Sequence, residues 1–136
     1  MTCLLRISGD SLNVDALLAG HSLPTDRTWR KGDAKLQRGD VYSTSGVQLL
    51  VSDTALDQFV RQAEEATAFL ETHRLDIKRM VAFPGVLDAA LDFGIVLPEG
   101  YVAQFSYLPP RLIQLAAEAG LGIYLSHYAC GDGDEG

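Results

Sequence analysis

Residues 89–107 read AALDFGIVLPEGYVAQFSY, and the fold class turns on how this stretch pairs. Ala89 to Leu97 reads as a strand, Pro98 to Gly100 as a turn, and Tyr101 to Tyr107 as a second strand, the pattern of an antiparallel hairpin. A hairpin forces antiparallel neighbours into a sheet. With helical segments elsewhere that are each apolar on one side, the simplest packing is an α+β fold, a mainly antiparallel sheet of about five strands with helices packed on one face.

Working upstream, Cys3, Leu5 and Ile7 alternate with Leu4, Arg6 and Ser8, the period of a strand with one face buried, and Gly9-Asp10 ends it. Asn13 suits the N-cap of a short helix over Val14 to Ala19, with Leu12 and Leu17 as a hydrophobic staple and Gly20 at the stop. His21 to Ser45 sustains neither period and is expected to be a long ordered loop, a kind of segment that in compact domains is commonly functional. Val47, Leu49 and Val51 then mark another strand. Leu56, Phe59, Val60, Ala63, Thr67 and Leu70 recur at helical spacing with charged residues on the opposite side, and a second helical piece over Asp76 to Phe83 ends at Pro84-Gly85.

Downstream, Pro109 and Pro110 open a helix whose inner face is Leu112, Leu115, Ala116 and Ala119, with Gly120 and Leu121 in a Schellman stop. Ile123, Leu125 and His127 alternate with Tyr124, Ser126 and Tyr128 in a last strand. Residues 131–136 are too polar and glycine-rich for more than a tail after a single domain over residues 1–130.

The 136 residues are 47% hydrophobic and 21% charged, the composition of a packed globular domain. A net charge of −7 argues against a nucleic-acid partner, whose binding draws on clustered Lys and Arg, and suits a basic partner surface instead. Met1 to Gly9 show no basic-then-apolar leader, and no apolar run reaches membrane length, so a cytoplasmic protein without a membrane partner is expected. Cys3 and Cys130, at opposite ends, lack framework spacing and are expected to be reduced.

If Leu5, Ile7, Leu49, Val51, Leu91, Phe93, Phe105, Ile123 and Leu125 point at the helices, alternation sends Arg6, Gln48, Asp92, Gln104, Tyr124, Ser126 and Tyr128 to the other face. There Arg6 and Asp92 would anchor a polar ligand with Tyr124 and Tyr128 as walls, or the same side chains would simply pair across strands in water. Residues 24–33 hold the single tryptophan among three of the basic residues: Trp29 beside Arg27, Arg30 and Lys31 is the composition of a contact surface or of a cation–π brace, with the cations paired to Asp26, Asp33 or Asp40.

Catalytic signatures are missing. His21, His73 and His127 have no metal-ligand spacing, His127 with Cys130 is a weak His-x-x-Cys pair, and Asp132, Asp134 and Glu135 are a fragment of a calcium loop, so neither metal nor cofactor is expected. No phosphate-cradling glycine loop or nucleophile elbow occurs.

Ile7-Ser8-Gly9-Asp10, then Leu23-Pro24-Thr25 with Trp29-Arg30-Lys31-Gly32-Asp33, and finally the helix Leu112 to Ala119 followed by a strand ending at Tyr128, resemble the bacterial family of domain of unknown function 4279 nearly end to end. The resemblance implies an α+β domain on an antiparallel sheet, and it implies association with polymorphic-toxin neighbourhoods, where small acidic cytosolic domains act as immunity proteins. It carries over no catalytic residue; Arg27, Trp29, Arg30, Lys31 and Asp33 are matches to the motif only. Three readings follow: a non-enzymatic binding module of the immunity type with a toxin as partner, a small-molecule binder or enzyme on the open sheet face, and a homo-oligomeric structural protein. A loop over residues 21–45 that closes on the face would favour the second.

Overall fold

A strand buried on one face and flanked by two others must donate and accept along both edges, and Cys3–Gly9 (β1) does so. The computed structural model describes residues 2–35 and 39–129, and in it β1 pairs antiparallel with Ser45–Ser52 (β3) on one side and with Asp88–Val96 (β4) on the other. Leu5 stands opposite both Leu49 and Leu91. Arg27–Trp29 (β2) adds antiparallel to β3, and Gly122–Tyr128 (β5) adds parallel to β4, giving the order β2-β3-β1-β4-β5. The expected α+β class and mainly antiparallel sheet are what the chain forms.

The helices supply the second layer. Val14–Ala19 (α1) starts as its sequence dictates, with the Asn13 carboxamide oxygen accepting from the Ala16 N–H and with Leu12 and Leu17 both buried. Phe59–Thr72 (α2) turns Phe59, Ala63, Ala66 and Leu70 inward, Phe59 meeting the Phe93 ring edge-on at 5.3 Å. Gln62, fully buried on the same side, donates to the Gly94 carbonyl at 2.9 Å and so ties α2 to β4. Arg74–Val81 (α3) adds Ile77 and Met80, and Pro110–Ala119 (α4) adds Leu112, Leu115 and Ala116. The α4 stop is the expected Schellman motif: Gly120 lies at φ +82°, its N–H reaches the Ala117 carbonyl, and the Leu121 N–H reaches that of Ala116. Outside, Arg74 pairs with Glu118 at 2.6 Å and Arg111 with Glu71, locking α2, α3 and α4 to one another. The buried residues form one cluster that joins Cys3, Leu5, Ile7, Val47, Leu49, Leu91 and Phe93 to all four helices.

The hairpin does not form. The turn at Pro98–Gly100 is real, with the Tyr101 N–H on the Pro98 carbonyl and Gly100 at φ +90°, but residues 101–107 never pair back on β4. Both edges of β4 are already taken, by β1 and by β5, the latter delivered in parallel through α4, so no edge remains for a returning strand. Phe105, expected under the helices, is therefore 92% exposed, and Gln104 lies off the sheet. Residues 21–45 are also more than a loop: β2 extends the sheet, and Ala34 forms an antiparallel bridge with Val41. A three-residue strand is too short to display a period of two. Val60, expected on the inner side of its helix, points out at 72% exposure, because Gln62 takes the buried position that apolar periodicity would not assign to it. The expected tail over residues 131–136, the acidic fragment within it and Cys130 lie outside the described residues. Among the described residues no helix is long and apolar enough to cross a membrane.

Gly9 ends β1 against the backbone of the turn that leads into β4. A methyl group there would stand 1.8 Å from the Gly85 carbonyl oxygen, a collision with main chain and not with a movable side chain. Gly9→Ala should lower the unfolding free energy by about 2 kcal/mol in urea titration; a change within experimental error would show that this junction yields to a methyl group.

Candidate functional site

Alternation along β1 leaves Leu4, Arg6 and Ser8 on the side away from the helices, and register brings Gln48 beside Arg6 and Asp92 one diagonal step away. The Arg6 guanidinium donates to the Gln48 carboxamide oxygen at 3.1 Å and to the Asp92 carboxylate at 2.5 Å. Gln48 in turn donates to Asp26 at 2.9 Å, while the Ser126 hydroxyl donates to the second Asp92 oxygen at 2.6 Å. Asp26 directly precedes β2, so this chain of side chains runs across β5, β4, β1 and β3 to the start of β2. Every member uses its donors or acceptors on another member, and such linked bonds polarise and strengthen one another. The Asp92 side chain is 11% exposed and that of Arg6 40%, so the acid is sheltered and the base half open to water.

One edge of this face is aromatic and cationic. Gly46 lacks a side chain, and Trp29, directly across from it, fills the space: a methyl group on Gly46 would meet the indole at 2.4 Å. Tyr42 stacks on Trp29 with centroids 5.7 Å apart, and the Arg27 guanidinium lies 5.3 Å from the indole centre while donating to the Tyr42 hydroxyl. Lys35 approaches the other aromatic ring, 5.5 Å from the Tyr42 centre. Trp29 is thus a buried brace, and Arg27 and Lys35 are what this edge shows to solvent. The motif Arg30-Lys31-Gly32-Asp33 is a turn. The Asp33 N–H returns to the Arg30 carbonyl, the Asp33 carboxylate accepts from the Arg30 N–H, and Gly32 supplies φ +92°. The Arg30 side chain leaves the turn to pair with Asp15 of α1 at 2.6 Å, and the Lys31 N–H is held by the Ser45 hydroxyl. At the opposite edge Tyr124 and Tyr128 stand on the same face as Asp92, each 55% exposed. Of the residues singled out from sequence, Arg6, Asp92, Arg27, Trp29, Tyr124 and Tyr128 share this face, whereas Arg30, Lys31 and Asp33 build the turn beyond it.

Within segment 21–45, β2 widens the face, and among the described residues no lid covers Arg6, whose side chain is 40% exposed. A second feature escaped the sequence. Asp57 to Val60 at the start of α2, together with Pro98, Tyr101, Ala103, Gln104 and Phe105, line an open groove of about 460 Å³. Around it Tyr101, Val102, Phe105 and Tyr107 are 65 to 99% exposed. Leu56 joins groove to sheet, its side chain beside Gly94 where Tyr128 also approaches. The signal for this groove was a run of aromatics confined between two proline turns, which a strand reading absorbs.

Burial, reinforced by Asp92, pushes the Cys3 thiol far up, so it stays protonated and is no nucleophile. Among the described residues no group of three or more His, Cys, Asp or Glu side chains could hold a metal ion. His21 accepts from the Leu23 N–H through Nδ1, its Nε2 is buried without a partner, and burial pushes the imidazole below its ordinary range against the pull of Asp76.

A double-mutant cycle of Arg6→Ala and Asp92→Ala should give a coupling energy of about 1 kcal/mol, with Asp92→Ala the costlier single change because it strands both Arg6 and Ser126; a coupling near zero would mean the chain across the sheet adds nothing. For His21 the unfolded imidazole takes up its proton near 6.5 and the folded one only at lower pH. Stability should therefore hold above about pH 7, fall as pH drops through that window, and fall less in His21→Gln, as read from unfolding midpoints at about pH 7.5 and about pH 5. An identical pH slope in the variant would remove His21 from the account. No protein-family model, curated protein or solved structure matches this chain.

Proposed function

We propose that this protein is a non-enzymatic binding module that docks another protein, and that it acts as an immunity-type inhibitor of a bacterial toxin in the cytoplasm. The observation that carries this reading is the union of an open, internally satisfied polar face with an exposed apolar groove at one end of it. A catalytic or small-molecule site needs polar groups left free inside a sheltered cavity. Here both Asp92 oxygens are already bonded and Arg6 is spoken for by Gln48 and Asp92, while the groove is wide and open. Exposed aromatic side chains with a polar surround are the composition of a protein contact.

Charge supports a basic partner. The chain carries −7 in all, Asp57 lines the groove, and Glu99 sits in the loop that forms its wall, an arrangement that speeds capture of a cationic surface by electrostatic steering. The likeness of residues 7–10, 23–25 and 29–33 to the domain of unknown function 4279 family points the same way.

Co-expression with a toxin encoded beside it should restore growth, and Phe105→Asp should abolish the rescue without lowering the thermal midpoint, since Phe105 is almost fully exposed. Absence of any adjoining toxin gene, or a rescue indifferent to Phe105→Asp, Tyr101→Asp and Arg6→Ala alike, would sink the proposal.

A further inference from the structure

A sheet has two edges, and in this one they differ. The β2 edge is three residues long and gives way at once to the Arg30–Asp33 turn. The β5 edge runs for seven residues, GIYLSHY, and among the described residues nothing pairs with its outer side. Such an edge presents a row of unmet N–H and C=O groups, which proteins that stay monomeric usually blunt with a lysine, a proline, a bulge or a covering segment. β5 has no Lys, Arg, Asp, Glu or Pro.

Its flanks are apolar on both faces. Tyr124 and Tyr128 are 55% exposed on the polar face, and Leu125 is 37% exposed on the helix face. α4 contacts β5, and its Arg111 and Glu118 reach Glu71 and Arg74 on the flank toward the other helices. Steps of 100° per residue put Ile113 and Ala117 on the opposite flank, the one that looks past the sheet edge, and Ile113 is half exposed.

We infer that β5 is a homodimer interface, at which a second copy of this chain adds its own β5 antiparallel and makes one continuous ten-stranded sheet. Self-complementarity selects that occupant. The chain bears −7 as a whole, but the β5 strip has no Asp, Glu, Lys or Arg, so two copies meet there without opposing like charges. Pairing about the midpoint sets Leu125 against its own counterpart, Tyr124 against Ser126, and the Ile113 flanks of the two α4 helices over the seam. The short β2 edge offers no second site, so the assembly closes at two copies. This inference is independent of the toxin reading, which rests on the groove and the polar face.

Light scattering on the purified full chain should give twice 14.7 kDa, and hydrogen exchange at Gly122–Tyr128 should slow as concentration rises. Leu125→Lys sets two ammonium groups against each other at the midpoint and should return the monomer mass with the thermal transition intact; Ile113→Glu should weaken the dimer at least tenfold. Phe105→Asp should leave it unchanged. A wild-type monomer at every concentration, or a dimer that survives Leu125→Lys and Ile113→Glu but is lost in Phe105→Asp, overturns the inference.

Discussion

The row Cys3, Leu5 and Ile7 faces a layer of helices, and because β1 is hydrogen-bonded along both edges it cannot slip by one residue without turning that row to water. The register of β1 therefore fixes the register of β3 and β4, and through them the side on which every other strand residue lies. Leu49 and Leu91 are dry because Leu5 is. Gln48 and Asp92 meet Arg6 for the same reason, one residue out of phase. The polar chain across the reverse face is the other half of a decision made by three apolar side chains.

What the sequence disclosed follows from how local each signal is. Asn13, Gly120 and the Pro109-Pro110 pair act on backbone groups within a turn of themselves, so α1 and α4 could be read to the residue. Alternation in residues 3–8 and 47–51 assigned faces correctly without any knowledge of strand order. Neighbours were another matter. Residues 89–107 carry a real turn between two alternating runs, yet which strand lies beside β4 depends on α4 bringing β5 back in parallel, and a helix some twenty residues onward leaves no trace in the hairpin pattern. The burial of Gln62 was illegible for a related reason, since it is rewarded by the Gly94 carbonyl of a distant strand. On the reverse face the membership of Arg6, Asp92, Tyr124 and Tyr128 was legible, whereas the bonds from Asp26 and Ser126 were not, because both belong to partners fixed only by topology.

The Trp29 region shows how one composition serves two purposes. Arg, Trp and Lys in a short stretch suggest a contact surface, and the indole instead fills the hollow above Gly46 while Tyr42 and Arg27 stack outward from it. The brace holds β2 to the sheet, where three ladder residues alone would fray. The charge left on the outside belongs to Arg27 and Lys35, which are held in place by the rings beneath them.

The placement of β1 at the centre of the sheet bears on synthesis as well as on shape. It leaves the ribosome ahead of every other strand of the sheet, yet the Arg6–Asp92 bond spans 86 positions, and the strand that completes its second edge is among the later elements to emerge. Until β4 emerges the segment CLLRISG waits with half its ladder open and its apolar row uncovered. A nascent chain of this design is most vulnerable to chaperone capture or mispairing in the interval before residue 96 appears, and silent codon changes that slow the ribosome upstream of that point would lengthen the exposure without altering a single side chain.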